Sequence, residues 1–406
     1  MTGAMGADGQ TPDTAAIDRD DEWRAWIDLA SVDGVGPMVF GRLMAAFGSA
    51  VAVVDVGRRG RLLEELYRRE AVSGTAQARS VPPAVADRIQ EVARDPGHEV
   101  AKLAELGASA VTWLDAGYPS RLKGSDDAPP VLFVRGPPTV LDASSAVAIV
   151  GTRRPTPAGR SFAGAAAAAI AASGAVIISG LAYGIDAAAH AAVAAAGGPT
   201  VAVIGSGLGV LAPAAHRRLA DDIVAAGGAI VSELPCDVAP TKGTYPRRNR
   251  IIAGLADATI VVEAPLRSGA LITARLAAGL GRELFVVPGR PWEPTTAGCA
   301  MLLREIPDAH AVVDVPTLLD DLGLGQRSAA GGAAASLASV LVGLSPTETA
   351  LARALRAGPA SVDRLAATCG LPVEQVASGL TLLGLRGYAW SSGPIHVASG
   401  ALRDAV

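Results

Sequence analysis

Between Val111 and Val315 the apolar positions come in short unbroken runs, each bounded by glycine turns and followed by an alanine-rich stretch. The runs are Val147–Val150, Val176–Ser179, Val201–Ile204, Ala229–Ser232, Thr259–Val262, Leu284–Val287 and Ala311–Val313. A strand with one wet face alternates apolar and polar residues. A run that is apolar at almost every position belongs to a strand covered on both faces, as in a parallel sheet packed by helices. The pattern therefore predicts a doubly wound, mostly parallel α/β domain over 109–325. Shorter runs at Val111–Leu114 and Val131–Val134 place further strands ahead of it.

From Trp23 the periodicity is helical, which predicts a small helical domain over 21–108. Within it Ser31-Val-Asp-Gly-Val-Gly-Pro-Met38 sits between amphipathic segments, the second marked by Phe40, Leu43, Met44 and Phe47, and has the shape of a helix-hairpin-helix. Such a turn either exposes backbone N–H groups to a phosphate or is an ordinary helical corner. Asp33 and the lack of a nearby lysine favour the corner. Residues 1–20 are small, polar and acidic without period, as in a disordered tail. The Ala/Gly/Ser-rich stretch at 326–343 has the composition of a flexible linker. Beyond it, over 344–406, Ser345-Pro-Thr-Glu348 forms a capping-box signature for one helix, Ser361 can cap a second and Pro372 can open a third. Tyr388, Trp390, Ile395 and Val397 suit a two-stranded wing, completing a winged-helix-like unit. Its third helix carries Glu374 and no Lys or Arg, so partner binding suits it better than reading a major groove.

Composition narrows the classes. The 406 residues suffice for two or three domains, and 50% are hydrophobic, so a sizeable core is expected. Three widely spaced cysteines without C-x-x-C spacing suggest neither a zinc site nor a disulfide framework, which points to a reducing compartment and a cytoplasmic location. There is no signal-peptide pattern, and Ala163–Ala172 is too short to span a bilayer.

The net charge is −4, yet Lys242-Gly-Thr-Tyr-Pro-Arg-Arg-Asn-Arg250 places four cations and an aromatic ring in nine residues with no acid. Bulk charge cannot attract a polyanion here, so any such binding must be local. Lys242, Arg247, Arg248 and Arg250 can meet phosphates and Tyr245 can face a base, the two ingredients of single-strand binding. A solvated basic loop is the alternative.

Ligands of open parallel sheets lie at the carboxyl ends of the strands, and four loops fall there. Gly151-Thr-Arg-Arg-Pro-Thr156 precedes a helix beginning near Pro157 or Ala158, and Gly151, Arg153, Arg154 and Thr156 can approach an anion. Gly180-Leu-Ala-Tyr-Gly-Ile-Asp186 leads into a helix carrying His190. Asp186 and His190 can share a helix face as a metal or acid–base pair, or Asp186 can serve as an N-cap. Gly205-Ser-Gly-Leu-Gly209 invites a nucleotide but lacks the Rossmann spacing. Ser268-Gly-Ala-Leu-Ile-Thr273 offers small residues at a helix N-terminus. Together these loops and the arginine cluster fit an extended anion better than one small phosphate. There is no G-x-S-x-G elbow, Walker A lysine or H-E-x-x-H, so no enzymatic activity and no cofactor is expected.

The blocks Ile149-Val-Gly-Thr-Arg153, Ser179-Gly-Leu-Ala-Tyr-Gly-Ile-Asp-Ala-Ala-Ala-His190, Tyr245-Pro-Arg-Arg-Asn-Arg-Ile-Ile-Ala-Gly254, Ser268-Gly-Ala-Leu-Ile-Thr-Ala274 and Val287-Pro-Gly289 resemble, in order, those of the DNA-processing protein A (DprA/Smf) family. The resemblance implies an extended Rossmann-like fold that binds single-stranded DNA as a dimer. It also implies loading of RecA recombinase onto strands coated by single-strand-binding protein, notably in natural transformation. By motif, Arg153 would meet phosphate, Tyr245 a base, and Arg248, Asn249 and Arg250 the backbone. Ser179, Gly180, Ser268 and Gly269 would line the same groove. The sequence departs from the family pattern at Tyr183, where many members carry Arg or Lys, which allows stacking in place of a phosphate contact. It departs again at Gly205–Pro213, which lacks the acidic and aromatic residues often found there, and at Ala300. Two rivals stay open: a nucleotide-binding or nucleotide-hydrolysing enzyme on the same fold, and an adaptor acting through the C-terminal unit.

Overall fold

The computed structural model describes residues 18–73, 81–123, 125, 127–324, 337, 341–386, 388–392, 395–398 and 402. They fall into two compact units, one running to Ala311 and one starting at Val312. The first begins with six helices: α1 (Arg19–Ala30), α2 (Pro37–Phe47), α3 (Ala50–Arg58), α4 (Leu62–Ser73), α5 (Pro83–Val92) and α6 (His98–Glu105). Helix α1 starts inside the stretch expected to be a tail, because Asp18 caps it by accepting from the Asp20 N–H; residues 1–17 lie outside the described residues. The turn between α1 and α2 reverses at Gly34, whose φ of +90° is glycine territory.

The nine strands are β1 (Ser109–Thr112), β2 (Val131–Arg135), β3 (Ala146–Val150), β4 (Val176–Ser179), β5 (Thr200–Val203), β6 (Ala229–Ser232), β7 (Ala258–Val261), β8 (Glu283–Val286) and β9 (Ala309–Ala311). They form one sheet in the order β1-β2-β6-β5-β4-β3-β7-β8-β9. Strands β6 to β9 in that order are parallel, and the β1–β2 hairpin adds antiparallel to β6. The apolar runs thus mark the strands to within two residues: β3, β5, β7 and β8 begin one residue earlier than their runs and β1 and β9 two, and Val313 of the last run is exposed.

Crossing helices cover both faces. They are α8 (Pro157–Ala172), α9 (Ile185–Ala195), α10 (Arg217–Ala225), α11 (Thr244–Leu255), α12 (Ala270–Gly279) and α13 (Ala297–Glu305), while the short α7 (Ser120–Lys123) lies in the connection of the β1–β2 hairpin. α8 packs on α9, and α11 on α12. Alternate strand residues divide between two cores. Phe133, Ala202 and Ile230 join Ile223 of α10 and the N-terminal helices, while Leu132, Val201 and Val231 join Ile251 and Leu255 of α11. The N-terminal helices are fastened to the sheet by more than apolar contact. Trp26 Nε1 donates to the Pro130 carbonyl at 3.0 Å, the Cys236 N–H donates to Glu99 Oε1 at 2.5 Å, and Lys102 pairs with Asp237. Trp26, Phe40 and Trp113 pack ring on ring between them.

The second unit holds α14 (Val315–Asp321), α15 (Pro346–Ala357), α16 (Val362–Cys369) and α17 (Val373–Leu385). Ser345 and Glu348 form the reciprocal capping box, Ser361 caps α16, and α17 follows Pro372. The wing has three strands instead of two: β10 (Ala360–Ser361) and β11 (Ala389–Ser392) both pair with β12 (Ile395–Ala398). β10 is only two residues long, too short to leave an apolar run. The expected linker at 326–343 lies mostly outside the described residues. Among the described residues no single helix is long and apolar enough to cross a membrane.

Candidate nucleic-acid interface

Helices after β3 and β7, which are neighbours in the sheet, leave toward opposite faces, and a crevice opens between the two loops at the carboxyl ends of the strands. The cavity there has a volume of about 580 Å³. Its walls are the post-β3 loop (Gly151, Thr152, Arg153, Arg154), the post-β7 loop (Pro265, Arg267, Ser268, Gly269) and one face of α11.

The basic stretch is not a loop. Residues 244–255 are helical, so the cations are sorted by face. Tyr245, Arg248, Asn249 and Ile252 recur at three- and four-residue spacing and face the crevice, as does Lys242 just before the helix. Arg247 and Arg250 lie outside its lining, where the buried Glu233 carboxylate bridges them at 3.3 and 2.6 Å; Asp127 adds to Arg250 at 3.5 Å. Arg250 is only 12% exposed, so it serves as an internal tie and not as a phosphate contact. Arg247 instead reaches the α1–α2 turn near Gly36, beside which Arg88 Nε already donates to the Asp33 carbonyl at 2.9 Å.

Tyr245 rests on Gly205, where an added Cβ would stand 3.0 Å from the ring. That is the use of the glycine turn after β5. Its Gly207 and Gly209 N–H groups donate to the Val238 and Cys236 carbonyls, so they are not free to cradle a nucleotide. Over the ring lies the exposed guanidinium of Arg153, with its Cζ 5.3 Å from the centroid. Asn249 Nδ2 donates to the Gly269 carbonyl at 3.3 Å and ties α11 to the start of α12.

Arg248 has the opposite environment. It is 5% exposed, and Nη1 donates to the Val203 carbonyl at 2.7 Å. Burial pushes its pKa down to about 10, nearby Asp186 opposes that, and Arg153 adds to it; it stays charged at neutral pH. Gly180 makes room for it, since a Cβ there would lie 1.8 Å from Nη1. Ser179 is buried and its hydroxyl donates to the Ile149 carbonyl at 2.5 Å. Ser179 and Gly180 therefore build the floor beneath the crevice and do not line it, a correction that follows from their position inside the sheet.

Asp186 does reach the crevice. Burial raises its pKa, while Arg248 and the Ala182 and Gly180 N–H groups pull it back. It is not the N-cap of α9, a position held by Gly184, and it does not pair with His190. His190 Nδ1 bonds instead with the Thr200 hydroxyl at 2.8 Å, and burial pushes the imidazole down to about 3, so it is neutral. Among the described residues no group of three potential metal ligands exists. Thr156 is likewise committed: its hydroxyl donates to Glu263 at 2.5 Å and accepts from the Gly159 N–H, capping α8. Tyr183 lies outside the lining, half-exposed with its ring edge on His216.

Arg267, Thr152 and Pro265 were missed in the sequence. Arg267 directly precedes the Ser268–Thr273 block and is exposed, so a window opened one residue earlier would have included it. The crevice carries five cationic side chains, Arg153, Arg154, Lys242, Arg248 and Arg267, against the single carboxylate of Asp186.

The family model described as DNA recombination-mediator protein A matches residues 109–323, more than half of the chain. The chain belongs to that family. A second model, the DprA winged helix domain, matches residues 333–391. Protein Smf of Synechocystis is 30% identical over 397 residues, covering 90% of this chain and 95% of its own. The putative DNA processing protein DprA of Mycobacterium tuberculosis is 33% identical over 369 residues, with 90% and 92% covered. Protein Smf of Escherichia coli is 37% identical over 208 residues, a match spanning 51% of this chain and 55% of that one. The crystal structure of DNA processing protein A from Streptococcus pneumoniae aligns with a TM-score of 0.57 and 31% identity, over 73% of this chain and 97% of its own.

Proposed function

We propose that the crevice binds single-stranded DNA without sequence preference and that the protein acts as a non-enzymatic recombination mediator. It would deliver the strand to a RecA recombinase in the cytoplasm, on DNA coated by single-strand-binding protein, as a homodimer. The observation that carries this is the face of α11. It sets the Tyr245 ring under Arg153 and beside Arg154, Lys242 and Arg267, in a chain whose net charge is −4. An aromatic plane flanked by exposed cations suits a base with its neighbouring phosphates. A base stacked on a ring presents its π-face, which every base has, and this favours indifference to sequence. Membership of a recombination-mediator family supports the same assignment.

Fluorescence anisotropy of a labelled single strand across a salt series tests it. With four solvent-facing cations, the expected slope of log affinity against log salt is about −3. Duplex and free mononucleotides should compete poorly. Displacement or turnover of mononucleotides, without salt-dependent strand binding, would instead favour a nucleotide enzyme.

A further inference from the structure

Trp292 is 79% exposed, and among the tryptophans with described side chains it is the exposed one; Trp26 is buried, and Trp23 and Trp113 are partly buried. It stands in the loop between β8 and α13, at the same carboxyl edge of the sheet as the crevice. The loop is held in place. The Glu293 N–H donates to Arg290, the Thr296 N–H to Glu293 and the Gly298 N–H to the Ala264 carbonyl at 2.8 Å. At Gly289 an added Cβ would stand 1.9 Å from Thr296 Oγ1, and at Gly298 it would stand 2.6 Å from the Ala264 carbonyl and 2.9 Å from that of Pro265. The first turn of α13, where the loop that presents Trp292 ends, is thus pinned to the post-β7 loop, which forms one wall of the crevice. Arg267 on that wall and Arg290 on the Trp292 loop are both exposed.

We propose that Trp292 is a second base-stacking station, which takes a nucleobase of the strand as it leaves the crevice across the ends of β7 and β8, with Arg267 and Arg290 on the phosphates between. This rests on the single-strand assignment of the crevice and extends it to a longer path. Tyr245 sits over the turn after β5, and the sheet order separates β5 from β8 by four strand spacings, about 19 Å. A strand of about four nucleotides is served by the first station alone, whereas about twenty nucleotides engage both.

The test compares oligothymidylates of these two lengths on the full chain and on Trp292→Ala and Trp292→Phe. Trp292→Ala should lose about tenfold in affinity for the long probe and nothing for the short one, and Trp292→Phe should keep most of the long-probe affinity. Acrylamide quenching of the wild-type tryptophans should fall when the long probe saturates the protein, and that protection should vanish in Trp292→Phe. Equal affinity of all three proteins for the long probe overturns the second station. A loss at both lengths accompanied by a changed sedimentation coefficient also overturns it, making Trp292 a contact between copies. If the wild-type chain binds neither probe, the crevice assignment itself fails.

Discussion

Arg248 carries its charge beneath the crevice floor, and Arg153 carries its charge in solvent above it. Their substitutions should therefore separate cleanly. Arg153→Ala should leave the unfolding midpoint in place and lower the salt slope of strand binding by about 0.7. Arg248→Ala removes the donor to Val203 and the cation beside Asp186, so it should lower stability by about 1–3 kcal/mol in urea unfolding. An Arg248→Ala protein of normal stability that shows only a reduced slope would make Arg248 a phosphate contact after all. His190 offers a pH test. Its folded pKa, about 3, lies below the unfolded value near 6.5, so the unfolded chain takes the proton first as the solution is acidified. The stability it contributes is complete above about pH 6.5 and drains away as pH falls toward 3, by up to about 1.4 kcal/mol per unit. His190→Asn keeps an N–H for Thr200 and cannot be protonated, so its stability should fall less steeply from pH 6.5 to 4 than that of the wild type. Parallel curves would rule out a buried neutral imidazole. The sequence showed which residues were charged but not where the charges lie. Arg248, Arg250 and Ser179 look like ligand groups in a linear reading because their partners, Val203, Glu233 and Ile149, are distant in sequence or indistinguishable from their neighbours.

At the scale of elements, the strands were legible because burial on both faces leaves an apolar run that needs no knowledge of the fold. The helix α11 was not, since Pro246 and three arginines hide the period until Ile251, Ile252 and Leu255 are placed on its inner face. The post-β5 turn was noticed for its glycines, but its support of the Tyr245 ring could not be seen in the sequence. A Cβ on Gly207 would stand 2.0 Å from the Pro235 carbonyl and 2.3 Å from that of Cys236. Gly207→Ala should therefore cost about 1–3 kcal/mol, the usual range for overpacking a rigid site, and should also weaken strand binding by disturbing the support under Tyr245. Thermal and urea unfolding would measure the first effect, and anisotropy the second. An unperturbed Gly207→Ala protein would mean that the turn yields easily and does not set the height of the ring.

For the molecule as a whole, the N-terminal helices share a core with the sheet, and Phe133, Ile204 and Ile230 lie against them. A chain lacking residues 1–108 would expose that face and lose the Glu99 link to Cys236 and the Trp26 link to Pro130. It should be poorly soluble or bind the dye ANS strongly; a soluble, cooperatively unfolding product would show that the helices are dispensable. The same continuity explains why the boundary near residue 108, suggested by a change in periodicity, does not coincide with a gap in packing. The sheet order has one more consequence. A nine-stranded sheet must end somewhere, and here its flanks are β1, four residues long, and β9, three. Each presents so few unpaired backbone groups that a neighbouring chain gains little by adding a strand, which guards the protein against fibrous self-association.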